Sequence, residues 1–236
     1  MYPHLVSAIH ITHSETIQET GEAMFYCHDF DHAVRVADRA MAIAEDAHAG
    51  RLAAVAALCH NADRILQKVG NLGPFGKVSD DEVAKLVRKW LNEEPAGSFQ
   101  AYEVEFIIDA VLHHSERNSD NDSPVLICLK DADRTVNIEA DVIIRKGQYF
   151  GDKLPVVDPV HLISDPKATF TRPGSLLRSL MFDIVDFQRT GGVASLRLPK
   201  ARGIAASRFQ FLEIFVATVL KQREEAGFIP YPEELR

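Results

Sequence analysis

Apolar residues recur at three- and four-residue steps along most of the chain, a spacing that predicts amphipathic helices. Between residues 31 and 47 the apolar positions share one helical face. Residues 51–59 are alanine-rich and nearly all apolar, as in a helix buried on most sides. The same spacing predicts helices over 99–114, from 124 to about 140, and from 201 to about 226. The fold is therefore expected to be mainly helical.

Capping and breaking residues define the limits of these segments. Ser79 and Glu82 have the three-residue spacing of a capping box, which predicts a helix running through Trp90 and ending before Pro95. Clusters of glycine, proline and polar residues predict loops, at 70–76, 115–123 and 151–174. The last loop carries four prolines and leaves room for a short strand or hairpin. No sustained apolar–polar alternation is present, so a β-rich fold is not expected.

The length of 236 residues suits one large domain with a substantial core. We therefore predict an all-α single domain over residues 1–236, with a helical-bundle core at about 22–140 and a C-terminal helical extension at about 141–236. With 46% hydrophobic and 25% charged residues, the composition excludes wholesale disorder. The formal charge of −8 argues against general nucleic-acid binding.

Composition also bears on location. No stretch approaches the ~20 apolar residues that cross a bilayer, and the first residues lack the pattern of a signal peptide. Cys27, Cys59 and Cys128 are an odd number of widely spaced cysteines, which favours reduced thiols. These features predict a cytoplasmic protein without a membrane partner.

Ten histidines are present, and several of them lie at the ends of predicted helices, next to aspartate or asparagine. These are His28, His32, His60, His113 and His114. Asp131 and Asp133 lie within a later helix. Imidazole nitrogens and carboxylate oxygens that meet from several helices make a site for a divalent ion such as Mn, Fe, Zn, Mg or Co. Such an ion would supply a hydroxide nucleophile and neutralise charge on a phosphoryl group.

Three segments together resemble the HD-domain metal-dependent phosphohydrolase superfamily. They are His32-x-x-Arg35-Val36, Leu58-Cys59-His60-Asn61 after an alanine-rich helix, and Lys130-Asp131-Ala132-Asp133-Arg134. The resemblance implies an all-α bundle with His32, His60 and Asp133 as metal ligands. The chain departs from the family where Asn61 replaces the aspartate of the His-Asp pair. An amide oxygen can still bind a divalent ion, but it brings no charge, so weaker metal binding and weaker activation of water are expected.

A literal His28-Asp29 pair precedes His32 by four residues. We interpret this pair as the start of a helix, capped by Asp29 or Asp31, and not as the metal-binding doublet.

The resemblance also suggests catalytic and substrate-binding residues. Asp63 is the nearest acid after the doublet and is a candidate general base, with a salt-bridged aspartate at a helix end as the alternative. The candidate substrate-binding residues are Arg35 and Lys130, which lie close to the proposed ligands in sequence, Asn137, which lies four residues after Asp133, and His113 and His114, which adjoin the loop at 115–123. Either His113 or His114 is expected to face the pocket, because adjacent helical residues point about 100° apart. Ordinary surface ion pairing is the alternative role for the basic residues, Arg134 included.

The main hypothesis is therefore a metal-dependent phosphohydrolase acting on a small phosphate ester or nucleotide. The alternative is a catalytically degenerate HD-fold protein that binds a nucleotide or partner without turnover. A third option, oxidation at two iron ions, ranks last because the missing doublet aspartate would bridge them. A small phosphorylated molecule is the expected partner, and a homo-oligomer is compatible with such a helical protein.

Overall fold

A computed structural model of the chain describes residues 2–24, 28–73, 76–151, 153–158, 167–169, 172–188 and 191–227. The helices are α1 (Pro3–Thr20), α2 (Phe30–Ile43), α3 (Ala47–Cys59), α4 (Ala62–Val69), α5 (Asp80–Leu91), α6 (Ala101–His113), α7 (Pro124–Val136), α8 (Val142–Phe150), α9 (Leu176–Gln188) and α10 (Pro199–Glu225). Among the described residues the only β-structure is an isolated antiparallel bridge between Thr169 and Arg172. The predicted all-α fold is confirmed. Cys27 and parts of the predicted loops at 70–76 and 151–174 lie outside the described residues.

The predicted helix over 31–47 is α2, which ends at Ile43 and is separated from α3 by a tight turn. Ala44 leaves the helical conformation at ψ 141°, and Asp46 caps α3 by accepting the N–H of Ala49 at 2.7 Å. A Cβ atom on Gly50 would lie 2.5 Å from the Cβ of Ala44. The absence of a side chain at residue 50 therefore allows α2 and α3 to meet closely, which the apolar periodicity alone did not show.

The other predicted helices match α5, α6, α7 and α10 to within a few residues, except that α7 ends at Val136. The capping box is confirmed, since Ser79 Oγ accepts the N–H of Glu82 while Glu82 Oε2 accepts the N–H of Ser79. Helices α1, α4, α8 and α9 were not predicted. Of these, α4 is only eight residues long and begins directly after Asn61, so it offers little periodicity to detect.

The chain groups into two compact units, residues 1–136 with 197–201 and residues 137–196 with 202–236. In the first unit α3 lies at the centre and packs on α2, α6 and α7. Every residue from Leu52 to Cys59 is buried, which explains the nearly unbroken apolar stretch. The predicted core boundary near residue 140 falls close to the limit of this unit, which also includes α1.

Two polar contacts attach α1 within the first unit. Trp90 Nε1 donates to Thr12 Oγ1 at 3.1 Å, and Glu94 Oε1 accepts the N–H of Leu5 at 2.8 Å. The second contact satisfies an N–H of the first helical turn, which has no partner within the helix. These contacts connect α1 to α5 and to the turn that follows it.

In the second unit α8 packs on α9. Lys146 Nζ lies 2.8 Å from Asp183 Oδ2 and 2.6 Å from Ser179 Oγ. Arg208 of α10 pairs with Glu139 at 2.9 Å. By length and composition α10 could cross a membrane, a test that the core helix of a soluble protein also passes. Its buried residues recur every three to four positions, as in an amphipathic packing helix: Ala201, Ala205, Phe209, Leu212, Val216 and Leu220.

Candidate metal centre

His32 is positioned by the capped start of α2. Asp29 is the N-cap residue, and its Oδ1 accepts the backbone N–H of His32 at 2.9 Å. The interpretation of the His28-Asp29 pair as a helix start with an aspartate cap is thereby confirmed for Asp29. The cap holds the first turn, in which the His32 side chain is fully buried.

His60 ends α3, where it is the C-cap residue. Its Nδ1 lies 2.5 Å from the carbonyl oxygen of Ala57. Because a carbonyl only accepts, Nδ1 carries the proton and Nε2 presents a lone pair. Nε2 is buried and has no hydrogen-bond partner among the described residues. A backbone carbonyl that fixes one ring nitrogen while the other stays open is the usual arrangement of a metal-binding histidine.

Asp133 of α7 meets both histidines. Its Oδ1 lies 3.1 Å from His32 Nε2 and 4.0 Å from His60 Nε2. One possible ligand atom from each of the three residues lies within 4.8 Å of the other two. The ends of α2 and α3 and the middle of α7 therefore place two nitrogens and a carboxylate around one point, as the sequence pattern indicated.

The electrostatics keep the His60 imidazole neutral and the Asp133 carboxylate ionised. Burial lowers the pKa of His60 from 6.5 to about 3. Burial would raise the pKa of Asp133, but the hydrogen bond from His32 and the nearby imidazoles outweigh it and hold that pKa well below its usual range. Neutral imidazole and ionised carboxylate are the forms that bind a metal ion.

Two further imidazoles border this group. The ring centre of His28 lies 5.0 Å from that of His32 and 6.5 Å from that of His60. The ring centre of His114 lies 5.2 Å from that of His60. Burial, followed by the charges of His32 and Arg64, holds the pKa of His28 well below its ordinary value. Sequence reasoning left His28 out of the site, although its four-residue spacing from His32 was a signal.

Residues 29–138 match the HD domain family. This part of the chain is an HD domain. A solved structure from Lactobacillus plantarum is similar to it, with a TM-score of 0.61 and 20% identity over 94% of this chain and 97% of that one. Bacillus subtilis YpgQ is similar with a TM-score of 0.54 and 19% identity over 92% and 93% of the two chains.

YpgQ in complex with ADP aligns with a TM-score of 0.52 and 21% identity, covering 92% of this chain and 97% of that one. At these identities the structures show a shared fold. No curated protein shows significant sequence similarity to the chain.

The donor set of this HD domain fits a divalent ion. His32, His60 and Asp133 converge, and the lone pair of His60 Nε2 is otherwise unused. Asn61, at the position of the family's aspartate, is 1% exposed, and its Oδ1 is buried without a hydrogen-bond partner among the described residues. Its Nδ2 donates to the carbonyl oxygen of Asp29 at 3.3 Å. Asn61 therefore joins the end of α3 to the start of α2, which an aspartate without a donor could not do.

Asp63 is not part of the converging group. Its Oδ1 accepts the backbone N–H of Arg64 at 2.8 Å, and its Oδ2 lies 3.6 Å from Arg64 Nε. Its side chain is 32% exposed, so the carboxylate is accessible to solvent. The geometry is that of the salt-bridged aspartate considered as the alternative, and the role of general base stays a prediction.

The structure pairs the basic residues of α7 with the loop at 115–123. Lys130 is 1% exposed, and its Nζ lies 2.9 Å from Asp122 Oδ2 and 3.0 Å from the carbonyl oxygen of Arg117. Arg134 Nη1 donates to Asn118 Oδ1 at 2.7 Å. These contacts fix the loop and give Lys130 a structural role, while its contact with phosphate stays a prediction.

The remaining candidate substrate-binding residues differ in their distance from the proposed ligands. His114 borders the centre, whereas His113 is 41% exposed and pairs with Asp109 at 3.1 Å. Arg35 pairs with Asp31 at 3.1 Å, with 30% of its side chain exposed. Asn137 follows the end of α7 and accepts a hydrogen bond from Arg145 at 3.3 Å. Of the two adjacent histidines, His114 is therefore the one placed next to the proposed ligands.

Proposed function

We propose that the protein is a metal-dependent phosphohydrolase that acts on a small phosphate ester or nucleotide. The observation that carries the proposal is the convergence of His32, His60 and Asp133, whose ligand atoms lie within 4.8 Å of one another. The match to the HD domain family supports it. A divalent ion held there would activate water and neutralise charge on a phosphoryl group.

The surrounding residues have separate roles in this proposal. His60 presents Nε2 because its Nδ1 proton is held by Ala57, and Asp133 supplies the single negative charge of the donor set. Asp63 accepts the proton of the attacking water after separating from Arg64, which then becomes available to the phosphate. His114 contacts the substrate beside His60.

A nucleotide is the preferred substrate class. The structural neighbour YpgQ was crystallised with ADP, which supports an adenine nucleotide as the first ligand to try. Arg35 lies three residues after His32 and Arg64 four residues after His60, and a guanidinium can bind a phosphate through two parallel hydrogen bonds.

A phosphate-release screen tests the proposal. The purified protein is incubated with nucleoside mono-, di- and triphosphates and simple phosphomonoesters, each with Mn²⁺, Co²⁺, Mg²⁺ or Zn²⁺. Hydrolysis is expected with at least one pair, to disappear in His60→Ala, and to persist in the control His4→Ala, which alters an exposed residue of α1. Absence of turnover across the whole screen would overturn the proposal.

Asn61 favours a second candidate function, namely nucleotide binding without turnover. With one carboxylate instead of two, the centre holds a divalent ion less tightly. Calorimetry that detects ADP binding in the absence of any turnover would support this candidate. Asn61→Asp then discriminates: if it creates both tight metal binding and hydrolysis, the natural protein is a degenerate relative of active enzymes.

A further inference from the structure

The imidazoles around the centre have the spacing of rings that share one ion. A metal–nitrogen bond of about 2.1 Å places each ring centre roughly 3.2 Å from the ion. Two rings on adjacent coordination positions then have centres about 4.5–5.2 Å apart, and rings on opposite positions about 6.4 Å apart. The observed distances are 5.2 Å for His32–His60, 5.0 Å for His28–His32 and 6.5 Å for His28–His60.

These three distances place His28 beside His32 and across from His60. The position of His114 is different, since its ring centre lies 5.2 Å from that of His60 and, among the described residues, it makes no ring contact with His32. Ring spacing therefore singles out His28, whose nitrogens lie outside the group of ligand atoms within 4.8 Å and would reach the ion by a rotation of the side chain.

The hydrogen bond of Asn61 connects this histidine to the altered doublet. Asn61 Nδ2 donates to the carbonyl oxygen of Asp29, the residue directly after His28. The asparagine that removes a negative oxygen donor thus also holds the backbone from which His28 extends. An aspartate at residue 61 would repel the same carbonyl.

We propose that His28 is an additional metal ligand, which compensates for the missing carboxylate at Asn61 and makes the centre selective for nitrogen-preferring ions. The donor set becomes three imidazoles and one carboxylate, with the neutral amide oxygen of Asn61 beside them. Such a set suits Zn²⁺, Co²⁺ or Ni²⁺, whereas Mg²⁺ and Mn²⁺ prefer carboxylate and water oxygens. This inference rests on the metal centre of the proposed function.

Competition with a chelating dye, using Zn²⁺, Co²⁺ and Mn²⁺ on the whole chain, tests the proposal without any activity measurement. His28→Ala is expected to weaken Zn²⁺ and Co²⁺ binding at least about tenfold while Mn²⁺ binding changes little, and to alter the visible absorption of bound Co²⁺. His28→Gln preserves much of the side-chain volume and guards against a folding defect. His4→Ala measures metal binding by an exposed histidine outside the centre.

Asn61→Asp provides the converse comparison, and it should lower the ratio of Zn²⁺ to Mn²⁺ affinity relative to the unaltered protein. Every divalent site binds Zn²⁺ more tightly than Mn²⁺, so only the change in this ratio is informative. Unchanged Zn²⁺ affinity and an unchanged Co²⁺ spectrum in folded His28→Ala and His28→Gln would overturn the inference. If His60→Ala still abolishes metal binding in that case, the metal centre of the proposed function stands and only the role of His28 is wrong. If the unaltered protein binds no metal at all, both the metal centre and the role of His28 are wrong.

Discussion

His32 Nε2 and Asp133 Oδ1 lie 3.1 Å apart, although 101 residues separate them in the chain. The contact joins the first turn of α2 to the middle of α7, and His60 Nε2 lies 4.0 Å from the same oxygen. Asp133 therefore carries the negative charge on which both imidazoles converge.

Asp133→Asn should weaken binding of Zn²⁺ or Co²⁺ roughly a hundredfold or more, because it removes the single charged donor while keeping the side-chain shape. Isothermal titration calorimetry measures the affinity, and the melting temperature without metal checks that the variant folds. Asp109→Asn, at a half-exposed aspartate of α6, is the matched control. Equal affinities for Asp133→Asn and the unaltered protein would show that the ion binds elsewhere.

Removing either side chain of the buried Lys130–Asp122 pair should lower the unfolding free energy by a different amount. Asp122→Ala leaves a lysine that is 1% exposed with the carbonyl oxygen of Arg117 as its partner in the loop, and should cost about 3–5 kcal/mol of unfolding free energy. Lys130→Met should cost less, because Asp122 keeps Arg197 at 2.8 Å. Urea denaturation measures both losses. A raised KM with unchanged stability in Lys130→Met would instead show that Lys130 binds phosphate.

Asp131 should stabilise the chain segment that leads into α10. Its Oδ2 accepts the backbone N–H groups of Arg197 and Leu198 at 2.7 and 2.6 Å. Asp131→Ala leaves both N–H groups without this acceptor and should cost about 2–4 kcal/mol, since hydrogen bonds to charged groups are the stronger kind. Limited proteolysis should cut near residue 197 faster than in Asp120→Ala, an exposed control. Equal cutting rates would contradict this role.

His13 should make stability depend on pH. It is 2% exposed, and neither ring nitrogen has a hydrogen-bond partner in the part of the chain that the structure describes. Burial lowers its pKa from 6.5 to about 4, with Asp29 opposing the shift and His10 adding to it. The pKa of His13 in the folded protein lies below its pKa in the unfolded chain. Its titration therefore costs no unfolding free energy above about pH 6.5 and lowers the stability of the fold as the pH falls toward 4.

The variant His13→Leu should remove this contribution. Relative to the unaltered protein it should gain about 2 kcal/mol of unfolding free energy between pH 7.5 and pH 5, since only the histidine protein must bury a neutral ring that the unfolded chain protonates. Urea denaturation at the two pH values measures the gain, with His4→Leu as the exposed control. Parallel pH profiles for His13→Leu and the unaltered protein would refute the effect.

Most of the helices could be predicted from the sequence because their buried residues recur with the helical period. Sequence reasoning missed α4, which is short, and α1, whose mixture of exposed and buried residues gave no clear stripe. It extended α2 four residues beyond Ile43, because the turn before α3 depends on the close approach of Gly50 to Ala44, which the apolar periodicity does not register.

The sequence by itself determined the helical class of the fold, because helical periodicity is a property of the chain, and the resemblance of its motifs to a known family pointed to His32, His60 and Asp133 as the proposed ligands. Only the tertiary structure decided what surrounds these ligands. It placed His28 and His114 at the centre, while Lys130 and Arg134 pair with the loop at 115–123. The physical reason is that a side chain's partners depend on how helices distant in sequence pack, and packing sets distances that no local spacing contains.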